Sequence, residues 1–265
     1  ANGAIGTVQP VRGISRVVAA ERSRRLEAGE KTPIYLHTDA SQALATMSVN
    51  VASLGVDLVT LSAAKIYGPK QVGLVWASDD VRLRPLVLGG GQENGVRSGT
   101  ENVAGVVGFA RAMELAQASR GEDARRLETL RDRLEAGLSA AFPWMVVSGP
   151  RKARNRLPGL LHVSFPGLEA RRLVILLERR GVSVGTGSAC AASRMRSSQV
   201  LEAIGLPRGV SEGSLRRTRG RLTTPAEVHS AVREIASAGR CEMDRLGRTD
   251  ADMAALSERL MAERV

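Results

Sequence analysis

Apolar positions alternate between two spacings along the chain. Ile14, Val17, Val18 and Leu26 recur at helical spacing, which predicts a helix over about residues 14–28, stopped at Gly29. Three short apolar runs follow and read as strands: residues 33–38 leading to Asp39, residues 56–61 running into Ser62-Ala63-Ala64-Lys65, and residues 72–77 after the turn Tyr67-Gly68-Pro69-Lys70. A glycine-rich loop over 89–100 precedes two predicted helices, 101–118 and 122–141, with a break at 119–121. Beyond the break come strands 145–147 and 160–165, a helix 169–180, and a strand 182–184 entering Gly185-Thr186-Gly187-Ser188-Ala189-Cys190. A short helix at 199–204, a strand at 214–218 and a final helix from Thr224-Pro225-Ala226-Glu227, which has capping-box spacing, close the pattern. Helix alternating with short apolar strand predicts an α/β sheet with chemistry at the strand ends, followed by a small α+β domain. The expected domains are 1–118 and 119–265.

Composition narrows the function classes. The chain has 265 residues, of which 43% are hydrophobic and only 3% aromatic, so its core must be built from Ala, Val and Leu. No apolar run reaches membrane-spanning length and no signal peptide is evident. The net charge of +11 would suit RNA or an acidic protein, but the basic residues are scattered and aromatics for base stacking are few, so direct nucleic-acid binding is not expected. Two cysteines, Cys190 and Cys241, form no CxxC pair, and no histidine has metal-ligand spacing. A reducing cytoplasm is the expected location.

Lys65 is the first candidate for chemistry. A lysine at the end of a buried strand is costly to leave charged, and such amines form covalent links with aldehyde cofactors. Pyridoxal phosphate (PLP) needs a carboxylate facing its ring nitrogen, which Asp39 at the end of the preceding strand would supply. Gln42 lies within reach of the ring's phenolic oxygen. Taken alone, Asp39 and Lys65 would read as a surface ion pair.

The words around them carry more. Thr38-Asp39-Ala40-Ser41-Gln42-Ala43, Gly55-Val56-Asp57-Leu58 and Leu61-Ser62-Ala63-Ala64-Lys65-Ile66-Tyr67-Gly68-Pro69-Lys70 resemble the PLP segment of cysteine desulfurases. So do Ala1-Asn2-Gly3-Ala4-Ile5-Gly6 and the 89–100 loop ending Arg97-Ser98-Gly99-Thr100. The resemblance implies a PLP-dependent transferase fold of the aspartate aminotransferase type, with an incomplete large domain and a small C-terminal one. It implies that Lys65 holds the cofactor, Asp39 faces the pyridinium, Gln42 the phenolic oxygen, and Ser62 the phosphate. It further implies a homodimer, with Thr100 reaching the phosphate of the neighbouring subunit.

Gly187-Ser188-Ala189-Cys190 resembles the nucleophile motif of the iron–sulfur-assembly branch, on a stretch too small and flexible for packed core. Cys190 would then attack the sulfur of L-cysteine, hold it as a persulfide and release alanine. Arg216, in Ser214-Leu215-Arg216, falls on the carboxylate-binding arginine, and Asn2 on a substrate contact. The sulfur would pass to an acceptor protein, for iron–sulfur cluster assembly or tRNA thiolation.

Several features depart from the family. The front of the family chain is absent, Gly3 stands where it has a cofactor-contacting asparagine, and Ala64 replaces the histidine before the lysine. Leu215, Arg217 and Arg219 share a strand face that is apolar in the family, so that face either meets water or marks a drift towards inactivity. Other readings stay open: a selenocysteine lyase or the other desulfurase branch, which share the fold but differ in the cysteine motif, and an impaired homologue acting as a binding or scaffold module. The chain alone is expected to be a poor enzyme.

Overall fold

The computed structural model describes residues 1–186 and 198–263. Its contacts divide the chain into two compact units, one of Ala1 with residues 9–121, the other of residues 2–8 with 122–265.

In the first unit, helix α1 (Val11–Glu27) precedes strand β1 (His37–Asp39), the short helix α2 (Val51–Leu54), and strands β2 (Leu58–Ser62) and β3 (Gly73–Ala77). β2 is central, parallel to β1 and antiparallel to β3. Val59 and Leu61 point from β2 into a core that includes Leu44, Val56, Ala63, Ile66 and Phe109. The first strand is shorter than expected, because residues 33–36 lie outside the ladder. Helix α1 carries the helical repeat of Ile14, Val17, Val18 and Leu26, yet none of its residues is buried, and Val17 and Leu26 are exposed.

Helix α3 (Val103–Ala141) runs without interruption through residues 119–121, where a break was expected. Gly121 costs only about 1 kcal/mol inside a helix. The buried positions Phe109 and Ala112 on one side, and Leu127, Leu130, Leu134 and Leu138 on the other, keep a helical period across it.

The second unit holds an antiparallel meander of β4 (Val146–Val147), β5 (Leu160–Ser164) and β6 (Ser214–Thr218). Helices α4 (Ala170–Glu178), α5 (Gln199–Ala203), α6 (Arg208–Ser211), α7 (Pro225–Arg245) and α8 (Asp250–Ala262) complete it. Every residue of β5 is buried. Alternation sends Leu161 and Val163, with Leu215 of β6, into a core shared with α3, α4 and α7. Leu160, His162 and Ser164 face the other way.

Two further expectations need correcting. Residues 182–184 form no strand; a single bridge joins Gly185 to Arg216 instead. The final helix is two, α7 and α8, each opened by a capping box, at Thr224 and at Thr249. The turn between them contains Gly247 at φ 61°.

Candidate functional site

In the first unit the candidate residues gather at the C-terminal ends of two parallel neighbours. Asp39 closes β1, its Cα paired with Thr60, and Ser62 closes β2. Asp39 Oδ1 accepts from the N–H of Ser41 at 2.8 Å, which fixes the carboxylate over the following turn, where Gln42 is half-buried. After Ser62 the chain makes a 3-10 turn, Ala63–Lys65. The fully buried Ala63 pins that turn, and its carbonyl accepts from both Ile66 and Gly68. This geometry leaves Lys65 exposed rather than buried, so the desolvation cost expected for it is not incurred.

The 89–100 loop folds on itself. Ser98 is buried and accepts from the Gly91 N–H at 3.3 Å, while Gln92 Oε1 accepts from Gly99 at 3.0 Å. Positive φ at Glu93 (52°) and Asn94 (55°) makes the tip tight. Thr100 follows it, exposed.

In the second unit the segment 2–8 and β6 meet at Arg216. The Arg216 main chain exchanges two hydrogen bonds with Gly185, and its NH1 donates to the Gly3 carbonyl at 3.1 Å. A Cβ on Gly185 would stand 3.2 Å from Arg216 NH2, so glycine there makes room for the guanidinium. Asn2 Oδ1 accepts from Ala4 and Ile5, which commits its oxygen to the local turn and leaves its amide NH2 for a ligand. Burial lowers the Arg216 pKa from its ordinary value.

Beside Arg216 lies a polar row that sequence reasoning missed. His162 pairs with Arg216 across β5–β6, and the Ser148 N–H donates to the His162 carbonyl from the other side. His162 is fully buried, neither ring nitrogen has a partner among the described residues, and Ser148 Oγ and Ser164 Oγ are likewise unpartnered. Burial first, then the charge of Arg216, holds the imidazole down to about 4. The signal was present in the sequence: His162 and Ser164 are polar at alternate positions of an otherwise apolar run.

Comparison with known proteins decides the family. The model of the aminotransferase class-V family matches residues 1–229. The chain belongs to that family. A cysteine desulfurase of Clostridium botulinum is 39% identical over 228 residues, covering 86% of this chain and 55% of that protein. A second, from Archaeoglobus fulgidus, is 39% identical over 86% of the chain and 56% of its own length. A solved NifS-like protein superposes with a TM-score of 0.77 at 34% identity, over 89% of this chain and 58% of the other. The chain thus spans about half the length of the relatives it matches.

Class-V aminotransferases are PLP-dependent, and the donor set of the first unit fits that cofactor. An amine (Lys65), a carboxylate (Asp39), a carboxamide (Gln42) and a hydroxyl (Ser62) all follow adjacent strand ends. Cys190 lies outside the described residues. Cys241 is exposed and free. Of the two arginines that depart from the family, Arg217 is half-buried and Arg219 is buried, so their face does not simply open to water. No helix among the described residues is long and apolar enough to cross a membrane.

Proposed function

We propose that this chain is part of a cysteine desulfurase that converts L-cysteine to L-alanine and passes the sulfur to an acceptor protein. The observation that carries this reading is the donor set Asp39, Gln42, Ser62 and Lys65 at neighbouring parallel strand ends. The names of the relatives, at 39% identity, support it.

When bound, PLP supplies an electron sink for the substrate's Cα. Lys65 would anchor the cofactor through Nζ, and the same amine would take up the substrate's Cα proton. Asp39 keeps the ring nitrogen protonated, Gln42 holds the phenolic oxygen, and Ser62 and the Thr100 of a neighbouring subunit hold the phosphate. Arg216 grips the substrate carboxylate with the guanidinium edge that the Gly3 carbonyl leaves free, and Asn2 contributes its amide NH2. The Cys190 thiolate attacks the substrate sulfur. An S–S bond forms as the Cβ–S bond breaks, the electron pair returns to carbon, a proton is taken up there, and alanine leaves with the sulfur held as a persulfide. The working form is a homodimer in the cytoplasm, feeding iron–sulfur cluster assembly or tRNA thiolation.

The test is to incubate the whole protein that contains this chain with PLP and L-cysteine, then measure alanine released and sulfur bound to protein. Equal amounts of both in the first turnover are expected. PLP bound with neither product would assign the chain to a binding role instead.

A further inference from the structure

Within the second unit, arginine side chains outnumber the carboxylates that could pair with them at the junction of α3, the 151–159 turn and the end of β6. Arg131 of α3 is 3% exposed and directs NH1 at the Leu157 carbonyl, 3.5 Å away. Arg156, within the same turn, is 6% exposed. Arg219 is 5% exposed, and its main-chain N–H donates to the Gly159 carbonyl at 2.8 Å. Arg217 lies two residues earlier on the same face of β6, half-buried towards solvent.

The carboxylates do not go round. Asp132 and Glu128 are taken by Arg131, and Glu135 is shared between Arg156 and Arg151. Arg219 has none: its Nε, NH1 and NH2 are all buried with no hydrogen-bond partner among the described residues, and the Nε atoms of Arg156 and Arg217 are in the same condition. Buried polar groups are paired in the great majority of cases, and a guanidinium has five donors to satisfy.

We propose that Arg219, with Arg131, Arg156 and Arg217, forms a binding site for a small inorganic anion, of the phosphate or chloride class. The choice of a diffusible anion follows from burial. The unpartnered nitrogens have no open surface, so a carboxylate fixed on another protein cannot reach them, and a small ion reaches them only with a shift of the half-buried Arg217 side chain beside them. The electrostatics agree. Desolvation first, then the charges of Arg217, Arg131 and Arg156, bring Arg219 down to about 9, with Asp132 opposing. It is still a cation at neutral pH, and an anion beside it relieves both effects. Nothing in this site overlaps the residues proposed for desulfuration.

Thermal unfolding of the full chain at pH 7 tests the proposal, with sodium gluconate replaced stepwise by chloride or by inorganic phosphate at constant ionic strength. The wild type is expected to gain about 3 °C or more, saturably, with at least one of the two ions. A response to phosphate alone identifies an oxyanion site, and a response to chloride a site for a spherical ion. Arg219→Met should melt higher than the wild type in gluconate alone and lose that anion-specific gain, which also controls for phosphate binding elsewhere. Arg219→Lys, a cation without the planar fork, should weaken a phosphate response about tenfold or more. Equal anion responses in wild type and Arg219→Met would overturn the site. So would an Arg219→Met chain that melts lower than the wild type in gluconate or fails to fold, since Arg219 would then have a stabilising role of its own.

Discussion

His162 and Arg216 stand directly opposite one another on β5 and β6, an imidazole with no exposed surface beside a half-buried guanidinium. Burial first, and then the neighbouring Arg216 charge, keeps the histidine neutral and sets a pH dependence. Folded, His162 protonates only near 4, whereas its unfolded value is 6.5. Between those values the unfolded chain binds the extra proton, so stability is full above 6.5 and falls as pH drops towards 4. The loss from this one group is about 3 kcal/mol. His162→Met should flatten that slope in urea melts taken from pH 4 to pH 7.5. A wild-type slope surviving the substitution would assign it to other groups.

Arg216→Lys removes the fork but keeps the charge. The contact to the Gly3 carbonyl and a two-point grip on a carboxylate both need the guanidinium. Desulfuration should fall about a hundredfold in kcat/KM, chiefly through KM for L-cysteine. An unchanged KM would place the substrate carboxylate elsewhere.

Lys65 and Cys190 should separate two halves of the chemistry. Borohydride reduction of the PLP-loaded chain is expected to label the Lys65 peptide, and Lys65→Ala to abolish the label. Label on Lys70 would move the assignment. Cys190→Ser should keep the labelled lysine yet carry no protein-bound sulfur after exposure to L-cysteine.

Gly213 is a structural counterpart. A Cβ there would lie 2.1 Å from the Phe165 carbonyl and 2.7 Å from that of Leu168, just before β6 begins. Gly213→Ala should therefore cost about 2–4 kcal/mol, read as a lower urea midpoint with unchanged slope. A midpoint within error of the wild type would mean that the 165–168 turn can yield.

The sequence by itself determined the family words, the order of elements and the strand-end positions of Asp39, Ser62 and Lys65, because short apolar runs and the turns after them are local signals. Arg216 could be read only from the register of a motif. The tertiary structure decided what local signals do not encode. Residues 119–121 stay helical because buried positions on both sides of Gly121 keep the same period, which outweighs one glycine. Residues 182–184 stay out of the sheet, although their composition favours a strand, and Gly185 alone among the described residues around them bridges to β6. Lys65 is exposed because a 3-10 turn lifts it past the end of β2. The sequence placed Arg217 and Arg219 on one face, but whether that face met water was a matter of packing. Burial depends on residues distant in the chain, here Arg131, Arg156 and the 151–159 turn, and only the folded chain brings those charges together around Arg219.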